Sequence, residues 1–190
     1  MKCKSVIALV PRGLLLLLIV VLGSCAVARV DELASSSAIS FSAPGFYLPP
    51  GAALRWRSDV VYLFEGPAEE PPQFERFLRD EIEASLTSRG HVFVDDTDAP
   101  YGVAAVAVLA SDVSAAAVLR EFSLTPSFPT SRRYPKGTLV VAIYSRPDEV
   151  VQWRGAIQAN ISLSLPAEER QRRVREHVRR LLNLVPSRAY

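Results

Sequence analysis

The chain is 190 residues long and 49% apolar, with 22 basic and 20 acidic residues and a formal net charge of +2. That apolar share excludes global disorder, and the near-neutral balance excludes gripping nucleic acid by bulk charge. The cysteines are Cys3 and Cys25, so residues 26–190 can hold neither a disulfide framework nor a cysteine-ligated metal.

The first 12 residues carry Lys2, Lys4 and Arg12, and residues 14–22 are uninterrupted Leu, Ile and Val. As a helix that run rises about 14 Å, against a hydrocarbon core of about 30 Å. Extending it backward would bury Arg12 and Pro11, at about 2.5–3.5 kcal/mol for the arginine alone. The pattern predicts a cleaved signal peptide over residues 1–24 and not a membrane span. Leu22-Gly23-Ser24-Cys25 resembles the lipobox of bacterial lipoproteins. The resemblance implies diacylglyceryl transfer to the Cys25 sulfur, cleavage after Ser24 and N-acylation of Cys25. Two or three acyl chains give stable anchoring. Ala26 stands where an Asp would imply inner-membrane retention, so the resemblance implies the outer membrane, facing the periplasm. Without residues 1–24 the chain has 19 basic against 20 acidic groups.

Residues 25–40, the lipidated cysteine and an Ala- and Ser-rich stretch without period, read as a tether. The domain is expected over residues 41–190, beginning with a Pro- and Gly-containing loop over 41–51. Residues 53–56 and 60–64 are β-like, as one bent strand or two short ones. After a Pro- and Glu-rich turn, Phe74, Phe77, Leu78, Ile82 and Leu86 recur at helical spacing and Gly90 stops the helix. A strand starts at His91, Asp95, Asp96 and Asp98 form a turn, and residues 101–110 suit a central strand covered on both faces.

Asp112 is placed to cap a short helix over 113–121, and residues 123–135 read as a loop. Residues 137–144 are β-rich, and Arg146-Pro147-Asp148-Glu149 breaks the run. Beyond the break Val151, Trp153, Gly155, Ile157, Ala159, Ile161 and Leu163 alternate with polar residues. This predicts a hairpin with one dry and one wet face. Trp153 falls on the dry face as a core anchor, Gly155 leaves room there for a ring or a helix, and Arg154 points to the wet side. Pro166 suits the first turn of a last helix, with Val174, Val178, Leu181, Leu182 and Val185 as its buried stripe. Six arginines crowd its other surfaces, and Glu168–Arg172, Glu169–Arg173 and Glu176–Arg180 have i,i+4 spacing.

Charge is polarised along the chain. Residues 31–121 hold 6 basic and 15 acidic groups, and residues 122–190 hold 12 and 5. Either the halves fold against each other and cancel, or the basic half offers a face to an anionic partner. No nucleophile elbow, phosphate loop or dinucleotide-type glycine pattern is present. His91 and His177 lack metal-ligand spacing, and the three aspartates lack the rest of a calcium loop. No catalytic residue, metal or other cofactor is expected.

Several features together resemble domain-of-unknown-function family 4136, bacterial envelope lipoproteins. They are the lipobox, Trp56 after a short strand, and the helix ending at Gly90. After these come Asp98-Ala99-Pro100, Lys136-Gly137-Thr138-Leu139-Val140-Val141, and Val151-Gln152-Trp153-Arg154-Gly155 before a charged helix. The resemblance covers residues 40–186 and departs from the family pattern around residues 144–147. It implies place and fold but no reaction. The expectation is a single α+β domain, a largely antiparallel sheet with a C-terminal hairpin packed by amphipathic helices. Its expected role is that of a non-enzymatic envelope lipoprotein, anchored through Cys25, that supports or recruits another envelope protein. The alternative is a binding module for a lipid or peptidoglycan fragment. A hydrolase with a carboxylate site ranks third. A concave site with converging polar groups favours the binding module or the hydrolase, and a broad exposed apolar patch or an open sheet edge favours the structural role.

Overall fold

The computed structural model describes residues 35–64, 71–109, 112–125 and 134–187. They form, in chain order, β1 (Ser36–Ser42), β2 (Ala53–Trp56), β3 (Val61–Phe64), α1 (Pro71–Thr87), β4 (Val92–Phe93), β5 (Tyr101–Leu109), α2 (Asp112–Glu121), β6 (Lys136–Ser145), β7 (Val150–Asn160) and α3 (Ala167–Leu182). The expected hairpin is β6 and β7, antiparallel from Lys136↔Asn160 to Ser145↔Val150, with Gln152 as an extra residue beside Ile143 and Tyr144. β5 extends it on one side and β1 on the other, both antiparallel.

β2 and β3 are two short strands on one line. Both run parallel along the remaining edge of β5, β2 beside Tyr101, Gly102 and Val103 and β3 beside Val106 to Leu109. β4 adds a parallel pair beyond β2. Parallel neighbours need a crossover, and α1 is the connection that returns the chain. The result is a seven-stranded, mostly antiparallel sheet in a single α+β domain.

Both long helices cover one face. Leu78, Ile82 and Leu86 of α1 and Val178, Leu181 and Leu182 of α3 are buried against Val103, Val141, Ile143, Trp153 and Ile157. Burying each such large aliphatic side chain contributes about 1.5–3 kcal/mol relative to leaving it in water. Gly90, at φ +88, ends the first helix region in the left-handed conformation, as a glycine there can without steric cost.

The structure departs from three expectations. The stretch read as a tether does not run to residue 40: Ser36–Ser42 is the edge strand β1. Its period is weak because its faces meet different surroundings. Ala38 packs on the main core and Ile39 on a second cluster. The supposed wet face of the hairpin is largely dry. Ala156, Gln158, Asn160 and Ser162 are all buried, and Leu119 and Leu124, from α2 and the turn after it, pack on Val140 and Ala156. The Gln158 amide donates to Thr138 Oγ1 at 3.1 Å, which meets the hydrogen-bonding need of a buried polar group. Finally, the last strand stops at Asn160, and Leu163 is half exposed.

Candidate functional site

The helix layer closes tightly at one end and gapes at the other. Ile82 and Leu86, towards the C-terminal end of α1, are fully buried, but Phe74 and Phe77 near its start are only half-buried. At the open end, between the N-terminal halves of α1 and α3, lies a groove of about 680 Å³.

Phe74, Phe77 and Leu78 form one wall of the groove and Val174 and His177 the other, over a floor that includes Ala107, Leu139 and Ile157. Phe74 leans on Tyr62, their ring centroids 4.7 Å apart. The connection from β7 to α3 supplies Ile161, Leu163 and Leu165. A side chain at Gly137 would put its Cβ 2.8 Å from Ile161 Cγ1, so this glycine lets Ile161 settle onto β6. Arg170 Nη1 donates to the carbonyls of Leu163 and Leu165 at 3.1 and 2.9 Å, which fixes the connection to α3.

The charged residues lining the groove are Arg170 and Arg173, and none of its described lining residues is a carboxylate. Arg173 Nε lies 3.0 Å from Glu169 Oε1. Glu169 also receives Arg172 at 2.7 Å. Hydrogen bonds from Arg172 and Arg173 hold its carboxyl down at about 2. Of the three expected i,i+4 pairs, Glu169–Arg173 forms as spaced. Arg172 turns to Glu169 and Glu176, and Arg180 reaches Ser36 Oγ at 2.7 Å. Arg175 bridges to Glu81 of α1 at 2.9 Å, so the acidic and basic halves do meet. Water and salt screen such exposed pairs, so they orient side chains more than they stabilise the fold.

A second, polar cleft of about 660 Å³ lies beside α1, β2 and β4. Arg79 sits over the Trp56 ring at 5.1 Å and pairs with Asp59 at 3.0 Å and Glu83 at 3.1 Å. Trp56 Nε1 donates to Glu83 Oε1, and its ring stacks on Phe93. These charges are engaged with one another. Trp56, met in the sequence as a marker of resemblance, is here the centre of a structural network.

Cys25 and residues 1–24, the expected signal peptide, lie outside the described residues. Trp153 is fully buried, as expected. Arg154 lies over the Phe41 ring at 4.7 Å. Asp96 Oδ1 accepts from the Asp98 backbone N–H at 2.8 Å, in an exposed turn. Among the described residues no group of three or more His, Cys, Asp or Glu could hold a metal ion, and no helix is long and apolar enough to cross a membrane. The groove itself has no local signal in the sequence, because its walls come from elements far apart in the chain.

The two histidines give a pH expectation. Burial, and then Arg89, push His91 below the usual 6.5, against an opposing pull from the Pro49 carbonyl. Burial also lowers His177, with Arg173 and Arg180 adding and Glu176 opposing. Unfolded histidines take up protons near 6.5 before the folded ones do. Stability from these groups is therefore present above pH 6.5 and falls as pH drops through it, by at most about 1.4 kcal/mol per pH unit for each proton. Urea midpoints should be lower at pH 5.5 than at pH 7.5, and equal midpoints would contradict this. The Glu169 contribution is lost in a separate window, between 4.5 and about 2.

No family model and no curated protein matches the sequence. Solved structures do match in shape. A PelC dodecamer from Paraburkholderia phytofirmans superposes with a TM-score of 0.51 at 10% identity, covering 82% of this chain and 100% of that one. A DUF4136 family protein from Bacteroides thetaiotaomicron superposes with a TM-score of 0.50 at 11% identity, covering 78% and 94%. The fold is therefore DUF4136-like.

Proposed function

We propose that this chain is a lipid-anchored envelope protein without enzymatic activity, whose domain binds the apolar part of an amphiphile in the groove between α1 and α3. The groove carries the reading. Its volume of about 680 Å³ falls within the roughly 300–1,000 Å³ typical of small-molecule sites. Its aromatic and aliphatic walls suit a hydrocarbon chain better than a glycan. No carboxylate among the described lining residues is available for paired acid–base hydrolysis. The proposed place is the periplasmic side of the outer membrane, through acylated Cys25.

Titrating the purified domain with an alkyl-chain fluorophore tests the reading. Phe77→Glu, which places a charge in the apolar wall, should weaken binding about tenfold or more, equivalent to about 1.4 kcal/mol. Leu184→Glu, outside the groove, should leave it unchanged. No saturable binding by the wild type, or equal binding by Phe77→Glu, would contradict the proposal. The structural or partner-recruiting role is the second reading. It is favoured by the outer edge of β1, which pairs with no strand among the described residues; the matched PelC protein is a dodecamer.

A further inference from the structure

We propose that the groove faces the bilayer to which the chain is anchored and takes an acyl chain of a phospholipid from it. This rests on the reading of the groove as a binding site and of Cys25 as the anchor. The observation behind it is where the chain enters the fold. Ser36, the first residue of β1, pairs with Ala159, and Ala159 lines the groove. Lys136↔Asn160 and Thr138↔Val108 place the start of β6 and the end of β5 at that same end of the sheet. The hairpin turn after Ser145 and the C-terminal end of α1 lie at the other.

Ten residues, 26–35, separate Cys25 from Ser36. Fully extended, that connection reaches about 40 Å at most. Because β1 already begins at Ser36, the connection is this short. Turning the opposite end of the sheet to the bilayer would lift Ser36 by about the length of β7, whose 11 residues span about 36 Å. Nearly the whole reach would then be spent alongside the domain. With the groove end down, the connection need not span the domain, and a lipid chain has a short path from the hydrocarbon to Phe77.

Photocrosslinking of the full, acylated chain in its membrane tests this, with benzoylphenylalanine at Phe77 or, at the far end, at Phe46. The expected result is a phospholipid adduct at Phe77 and about tenfold less at Phe46. A rigid helical spacer of about 40 residues, roughly 60 Å long, inserted between Val30 and Asp31 should cut the Phe77 adduct about tenfold or more. Alkyl-fluorophore binding in detergent should be unaffected by the spacer. An adduct that survives the spacer, or one formed with the protein's own acyl chains, would overturn the inference and leave the groove reading standing. Absence of a phospholipid adduct at Phe77 with fluorophore binding retained would likewise overturn the inference alone, whereas its absence together with no saturable fluorophore binding by the wild type would overturn the groove reading itself.

Discussion

Trp153→Ala is expected to destabilise the domain by about 3–5 kcal/mol, the range for deleting a large buried aromatic side chain. Trp153 is completely buried, stands opposite Ile143 in the hairpin and belongs to the core beneath both long helices. Its ring folds back over Gly155: a Cβ there would lie 2.7 Å from Trp153 Cη2 and Cζ2 and 2.9 Å from Leu181 Cδ1. The glycine thus makes room for the ring and the helix together. Alanine at 153 would leave a void that strand and helix cannot both collapse into. Urea unfolding of residues 26–190 is the measurement, and a loss below about 1 kcal/mol would remove Trp153 from the centre of the core. Gly155→Val should also destabilise, by overpacking, at about 1–3 kcal/mol.

Cys25→Ser is expected to abolish acylation and leave an uncleaved or misprocessed precursor. The thiol is the acyl acceptor implied by Leu22-Gly23-Ser24-Cys25, and a serine hydroxyl is a far weaker nucleophile at neutral pH. Two acyl chains bind stably where one is marginal, so a processed but unacylated chain should wash from membranes. Metabolic labelling with a fatty-acid analogue reads the result directly. Label on the serine variant would show that the anchor lies elsewhere.

Much of the fold is legible in local pattern. The stripes in α1 and α3 emerge because a helix buries residues three and four apart, whatever it packs against. Trp153 and Gly155 share a face because a strand alternates. The same reasoning misjudges the opposite face of β7, where Ala156, Gln158 and Asn160 are buried. Period two says which residues share a face, not whether another element will cover it. β1 escapes local reading for a related reason: its hydrogen bonds run to β7, more than 100 residues away in the sequence.

The helix stripes, the hairpin with its turn and the buried tryptophan can be read from the chain alone, since each depends on neighbours within a few residues. The groove, the parallel edge made by β2, β3 and β4, and the end of the sheet at which the chain enters arise from long-range packing. Phe77, Val174 and Ile157 become walls of one space only when the crossover of α1 and the return of α3 bring them together, and no local periodicity records that meeting.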